Sequence, residues 1–167
     1  HGFARDAAFT VTRHENDRID FTLENDVNTM AVFPFPFSFT IRYTLSNSSL
    51  RVTYSITNKA NTTMYFSVGG HPAFRVPLQE GLNYTDYYLH FDKTESSPRW
   101  PISPEGLIET KPLPFFQNTD RLPLTKELFY KDALVFKDLI SDSVTLRSDK
   151  GERGWTMDFH GFPYLGI

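Results

Sequence analysis

The sequence predicts an all-β protein, an antiparallel β-sandwich, and three observations carry that expectation. Apolar and polar residues alternate in several short segments, turn-forming residues separate those segments, and no helical periodicity is sustained over ten or more residues. A period of two sets one face of each strand against a core and the other in solvent, and many short strands with frequent turns favour a sandwich.

The elements follow in order. Residues 19–23 (Ile-Asp-Phe-Thr-Leu) alternate, and residues 37–45 do so over a longer run. Asn47-Ser-Ser is turn chemistry, and residues 50–57 alternate again, so 37–57 reads as a β-hairpin. A turn at 58–61 leads into a further strand at 63–68, which Gly69-Gly70 ends. Eight prolines from Pro72 to Pro123 then punctuate a long loop-rich region around a strand at 87–91. Residues 124–130 suit one short helical turn, followed by strands at 133–139, 143–148 and 155–159.

Composition bounds the class. The 167 residues, 40% hydrophobic with 16 Phe, 8 Tyr and 2 Trp, suffice to bury the core of one domain spanning 1–167, which excludes a disordered chain. A formal charge of −3 gives no electrostatic footprint for nucleic acid or an anionic membrane. The absence of cysteine removes thiolate chemistry and Cys-ligated zinc and suits a reducing, cytoplasmic compartment. The most apolar run, 30–39, is broken by Pro34 and Pro36 and is shorter than the roughly 18 residues a membrane helix needs. The N-terminus lacks the basic and apolar regions of a signal peptide.

Histidine moves protons most readily near neutral pH, which makes each histidine a candidate. His14 falls in a polar run that reads as a solvated turn, His90 within a strand, and His160 before Gly161-Phe-Pro in a strand-end turn. His71 differs: Gly69-Gly70 precede it and Pro72 follows, so small residues allow close approach of a ligand while proline restricts the backbone. The local sequence suits equally a functional imidazole and one hydrogen-bonded in a tight turn. His1 and Arg5 could face one polar ligand from an extended or bulged segment, Arg5 as a fork of donors. Asp132 stands where a strand begins and a charge could point into a cleft, whereas Glu105, Glu109, Glu127, Asp149 and Glu152 read as solvated loop residues.

Four motifs then act together: His-Gly-Phe-Ala-Arg-Asp at 1–6, Gly-Gly-His-Pro-Ala-Phe at 69–74, Lys-Asp-Ala-Leu-Val-Phe at 131–136 and Gly-Phe-Pro-Tyr-Leu-Gly-Ile at 161–167. In this order and spacing the chain resembles the aldose 1-epimerase (galactose mutarotase) family, most closely its bacterial LacX-type branch. The resemblance implies a β-supersandwich with a sugar-binding cleft. It matches His71 to the general acid that protonates the hexose ring oxygen, His1 and Arg5 to substrate-binding positions, and Asp132 to the acid that hydrogen-bonds sugar hydroxyls. It places the general base, a glutamate, beyond Ile167, so the 167 residues read as a fragment incomplete at both ends and of weak or no catalytic activity by themselves.

The implied reaction interconverts α- and β-anomers of free aldohexoses such as galactose or glucose. A base removes the proton of the C1 hydroxyl while an acid protonates the ring oxygen, the ring opens to an aldehyde, and rotation about C1–C2 with reversal of both transfers closes it on the other face. The expected partner is a small sugar, and neither a metal nor an organic cofactor is needed. Sugar faces also stack on aromatic rings, for which Tyr65, Phe74 and Phe136 are candidates, each better read as core. A competing class is a carbohydrate-binding module or sugar sensor on the same sandwich, without turnover; a third is a structural interaction domain whose histidines are only hydrogen-bonded polar groups.

Overall fold

The computed structural model describes residues 2–167, which form two compact units that meet in sequence between Gly70 and His71. In the first unit, a 3₁₀ turn at Phe3–Asp6 precedes β1 (Thr10–His14), β2 (Arg18–Glu24), a short helix α1 (Val27–Val32), β3 (Phe37–Ser46) and β4 (Ser49–Asn58). The four strands form an antiparallel sheet in the order β1-β2-β3-β4. The expected hairpin is present in full, from Phe37 opposite Asn58 to Ser46 opposite Ser49. Its turn is two residues long, and Asn47 supplies the positive φ (53°) that such a turn requires.

Period-two alternation separates the two faces of this sheet. Leu23, Phe37 and Phe39 are buried, with Phe3, Phe9, Phe33, Met64 and Val68 packed on them. On the opposite face the hydroxyls of Thr12, Thr22 and Thr40 hydrogen-bond in a row across three strands at 2.9 Å. Asp20 accepts from Arg18 at 2.8 and 2.6 Å and from Arg42 at 3.1 Å. The Arg18 guanidinium, seconded by Arg42, holds the Asp20 carboxyl well below the usual carboxylate range.

The second unit carries β5 (Tyr87–Glu95), β6 (Thr119–Pro123), a 3₁₀ turn at Lys126–Phe129, β7 (Val135–Phe136), β8 (Ser143–Ser148), β9 (Trp155–Asp158) and β10 (Leu165–Gly166). The sheet order is β6-β5-β8-β9, with β7 and β10 as a separate antiparallel pair. Tyr87, Leu89, Phe91, Phe136, Val144 and Leu146 are central to its core. Gly154, immediately before β9, is required by a close approach: a Cβ there would lie 2.6 Å from the carbonyl oxygen of Leu146, the residue opposite Trp155 in the ladder. A backbone atom fixed in a strand cannot move aside as a flexible side chain would. Gly154→Ala is therefore expected to cost about 1–3 kcal/mol through overpacking, measured as a lower denaturant midpoint with an unchanged m-value.

Several expectations are corrected. Residues 63–68 form no strand, because no ladder partner faces them among the described residues; Met64 and Val68 pack into the first core while Tyr65 and Phe66 stay exposed. The strand expected at 133–139 shrinks to Val135–Phe136, since among the described residues it pairs only with the two-residue β10 and, through a single bridge at Val135, with Trp100. Alternation failed to reveal β1 and β6, which lack a continuous apolar side: β1 is exposed throughout, and Pro123 suggested a loop although it ends an edge strand, where a missing N–H is tolerated. Helix α1 was also missed. Its signal was a capping box, in which the Asp26 side chain accepts from the Thr29 N–H while Thr29 Oγ1 accepts from the Asp26 N–H.

Candidate active site

His71 opens the second unit on irregular backbone and is exposed, with Gly69-Gly70 before it and Pro72 after it. A Cβ at Gly69 would meet nothing within 4 Å, so this approach is open space. Among the described residues none hydrogen-bonds or ion-pairs with the His71 side chain. The two ring nitrogens of an imidazole can each donate or accept, the inventory that proton transfer to a ligand needs.

Asp132 follows the 3₁₀ turn at Lys126–Phe129 and precedes β7. Its φ is +133°, a region that disfavours a residue with a Cβ. The local compensation is small: one carboxylate oxygen accepts from the adjacent Ala133 N–H at 2.7 Å. The side chain is exposed, which leaves the rest of the carboxylate's acceptor capacity to solvent or a ligand. Strain held at an exposed carboxylate is characteristic of functional positions. It also makes a prediction: Asp132→Gly should be about 1 kcal/mol more stable than Asp132→Ala. Both lose the carboxylate, while only glycine relieves strain of about 1–3 kcal/mol at an entropic cost of about 0.5–1. Paired urea melts measure the difference, and equal midpoints would refute it.

Arg5 lies in the 3₁₀ turn Phe3–Asp6, not in the extended or bulged segment expected, because Phe3 and Ala4 turn inward onto the first core. Its guanidinium is exposed and stands 3.7 Å from the Asp6 carboxylate. His1 falls outside the described residues. Within the second unit, His71 and Asp132 are both presented on exposed irregular backbone, with no hydrogen bond joining them. No group of three or more His, Asp or Glu among the described residues could hold a metal ion. Among the described residues no helix is long and apolar enough to cross a membrane.

The other histidines behave as local structure. His90 Nε2 lies 3.4 Å from Asp120 on the sheet, and His160 Nδ1 lies 3.2 Å from Asp142, tying the turn after β9 to the start of β8. His14 ends β1 rather than lying in a turn, and its side chain is exposed as expected. Asp149 is the exposed turn residue expected, and it also accepts from the Tyr88 hydroxyl and from Arg121, both at 2.7 Å. Both partners hold its carboxyl below the usual range, the Tyr88 hydroxyl most strongly.

Two features had only faint sequence signals. Phe136 is fully buried, as expected of core, but Phe74 is 47% exposed and stacks on Trp155, with ring centroids 4.0 Å apart and planes at 25°. Glu95, buried at the end of β5, accepts from the N–H groups of Ile140 at 3.1 Å and Ser141 at 2.8 Å, and from Ser97 Oγ at 3.5 Å. A carboxylate near the end of an apolar strand was the one sequence sign of it. A cavity of about 160 Å³ lies beside this loop, lined by Phe136, Lys137, Ser141, Asp142, Phe159 and Phe162 among others; neither His71 nor Asp132 reaches it.

Comparison with known proteins decides the family. The model of a family described as Aldose 1-epimerase matches residues 1–164. The chain belongs to the aldose 1-epimerase family. Two LacX proteins of Lactococcus lactis subsp. lactis, one plasmid-borne and one chromosomal, are each 36% identical to this epimerase-family chain over 168 residues. Those matches cover 99% of this chain and 56% of theirs, so it spans about half the length of the curated relatives it matches. Among solved structures, a galactose mutarotase-related enzyme of Lactobacillus acidophilus superposes with a TM-score of 0.85 at 32% identity, covering 99% of this chain and 55% of that one. A galactose mutarotase-like protein of Lactobacillus casei gives a TM-score of 0.87 at 30% identity, covering 99% and 57%. The antiparallel β-sandwich expected from the sequence is thus the fold of this epimerase-family chain.

Proposed function

We propose that the protein interconverts the α- and β-anomers of free aldohexoses by acid–base ring opening, with His71 as the general acid. The observation that carries this reading is the His71 imidazole, exposed and with no hydrogen-bond or ion-pair partner among the described residues, on a Gly-Gly/Pro-flanked segment in a chain of the aldose 1-epimerase family. His71 protonates the ring oxygen as the C1–O5 bond breaks, and takes the proton back when O5 re-forms the bond on the other face of C1. Arg5, His1 and Asp132 bind the sugar: Arg5 donates to hydroxyl oxygens, and the strained Asp132 carboxylate accepts from hydroxyl groups. The base that takes the C1 hydroxyl proton is a glutamate from the part of the family's length lying beyond Ile167. Neither a metal nor an organic cofactor enters these steps.

The test is polarimetry or NMR of freshly dissolved α-galactose and α-glucose, with protein expressed from its complete reading frame. Catalysed approach to anomeric equilibrium supports the epimerase reading. Sugar binding with an anomerisation rate left at the uncatalysed value overturns it in favour of a binding module or sensor, and neither binding nor turnover leaves only the structural class. Residues 1–167 alone are expected to give weak or no turnover; full activity from them would show that another residue serves as base.

A further inference from the structure

We propose that Phe74, stacked on Trp155, is the platform on which the apolar face of the aldopyranose rests, a role that depends on the sugar-epimerase reading above. The ring is not packed as core. It keeps 47% of its surface exposed, whereas Phe136 of the neighbouring motif keeps none. Nor is it loose, since a centroid separation of 4.0 Å at 25° fixes one face against the indole and turns the other away from it.

The support beneath is rigid. Trp155 begins β9, directly opposite Leu146 of β8, and Gly154 lets the backbone approach the Leu146 carbonyl more closely than any side chain would allow. Trp155 Nε1 is buried without an acceptor among the described residues, so the strand and the stacked ring, not a hydrogen bond, set the position of the indole. A flat apolar surface oriented in this way suits a ligand with one flat apolar face and polar edges.

An aldopyranose has that shape. Its C–H groups lie on the ring faces, and its hydroxyls and ring oxygen project from the rim. Phe74 is three residues after His71, so even fully extended backbone separates their Cα atoms by no more than about 11 Å. Stacking on Phe74 would leave the rim, and with it the ring oxygen, free for the imidazole. In galactose the axial O4 gathers the hydrogens of C3, C4 and C5 on one face, whereas in glucose they alternate between faces. The platform therefore favours galactose.

The experiment is galactose titration of the protein, followed by calorimetry and by Trp emission in a Trp100→Phe background, where Trp155 is the only indole. Galactose is expected to change Trp155 emission, and acyclic galactitol is not. Phe74→Leu, which stays apolar without a flat ring, should weaken galactose binding roughly three- to tenfold, the range an aromatic stacking contact supplies, and bring galactose and glucose closer together. Phe74→Tyr should restore affinity. Circular dichroism and thermal melts confirm that the variants are folded. Galactose binding with silent Trp155 emission, or with Phe74→Leu unchanged in affinity, overturns the platform and leaves the epimerase reading intact; no galactose binding by the unmutated protein overturns both.

Discussion

Replacing His71 by alanine is expected to slow catalysed anomerisation by about 10²–10⁴-fold, the contribution of a positioned acid or base. His71→Asn should lose nearly as much: the carboxamide can hydrogen-bond the ring oxygen but has no proton to give at neutral pH. The comparison separates chemistry from positioning, because a histidine that only held the sugar would be largely replaced by asparagine. Both variants should fold normally. The side chain is exposed and has no hydrogen-bond or ion-pair partner among the described residues, so removing it should change stability by no more than about 0.5 kcal/mol. Rates measured at saturating and at limiting galactose locate the loss in kcat rather than KM. A His71→Asn enzyme with more than a third of the parent kcat would refute the acid assignment.

Glu95→Ala is expected to produce the largest loss of stability. The carboxylate is buried and accepts from two backbone N–H groups on the loop between β7 and β8, Ile140 at 3.1 Å and Ser141 at 2.8 Å. Those donors cannot both find water when the acceptor is removed, and each one left unsatisfied costs about 1–3 kcal/mol, or about 2–6 together. For a domain of this size that is a fall in Tm of about 5–20 °C. Glu95→Gln should lie between, since a carboxamide oxygen can satisfy one donor while its NH₂ faces the other. An alanine variant within 2 °C of the parent would show that the loop is held by other contacts. The loop also joins the strand after Asp132 to the central sheet, so the same substitution should weaken sugar binding through loss of order rather than loss of contact.

The strands that bury one side and wet the other were legible because their alternation records burial directly. Residues 37–57 and 143–148 are found where period two placed them, down to the Asn47 turn. The segment 63–68 shows the limit of that signal. It alternates as well as its neighbours do, yet a strand exists only when another backbone offers a ladder, and alternation carries no information about the partner. Strands β1 and β6 show the converse, with pairing supplied by a neighbour and little apolar pattern to advertise it.

The candidate site divides in the same way. The sequence by itself determined the family, through four motifs in order, and marked His71, because glycine and proline constrain backbone locally whatever the rest of the chain does. Only the tertiary structure decided that no described residue hydrogen-bonds or ion-pairs with His71, that Asp132 is held at φ +133°, and that Phe74 lies on Trp155 while staying half exposed. Trp155 is 81 positions from Phe74 in the chain, counting from 74 to 155. Contacts at that separation depend on how strands pair and pack, which is a property of the whole sheet and not of either residue's neighbours.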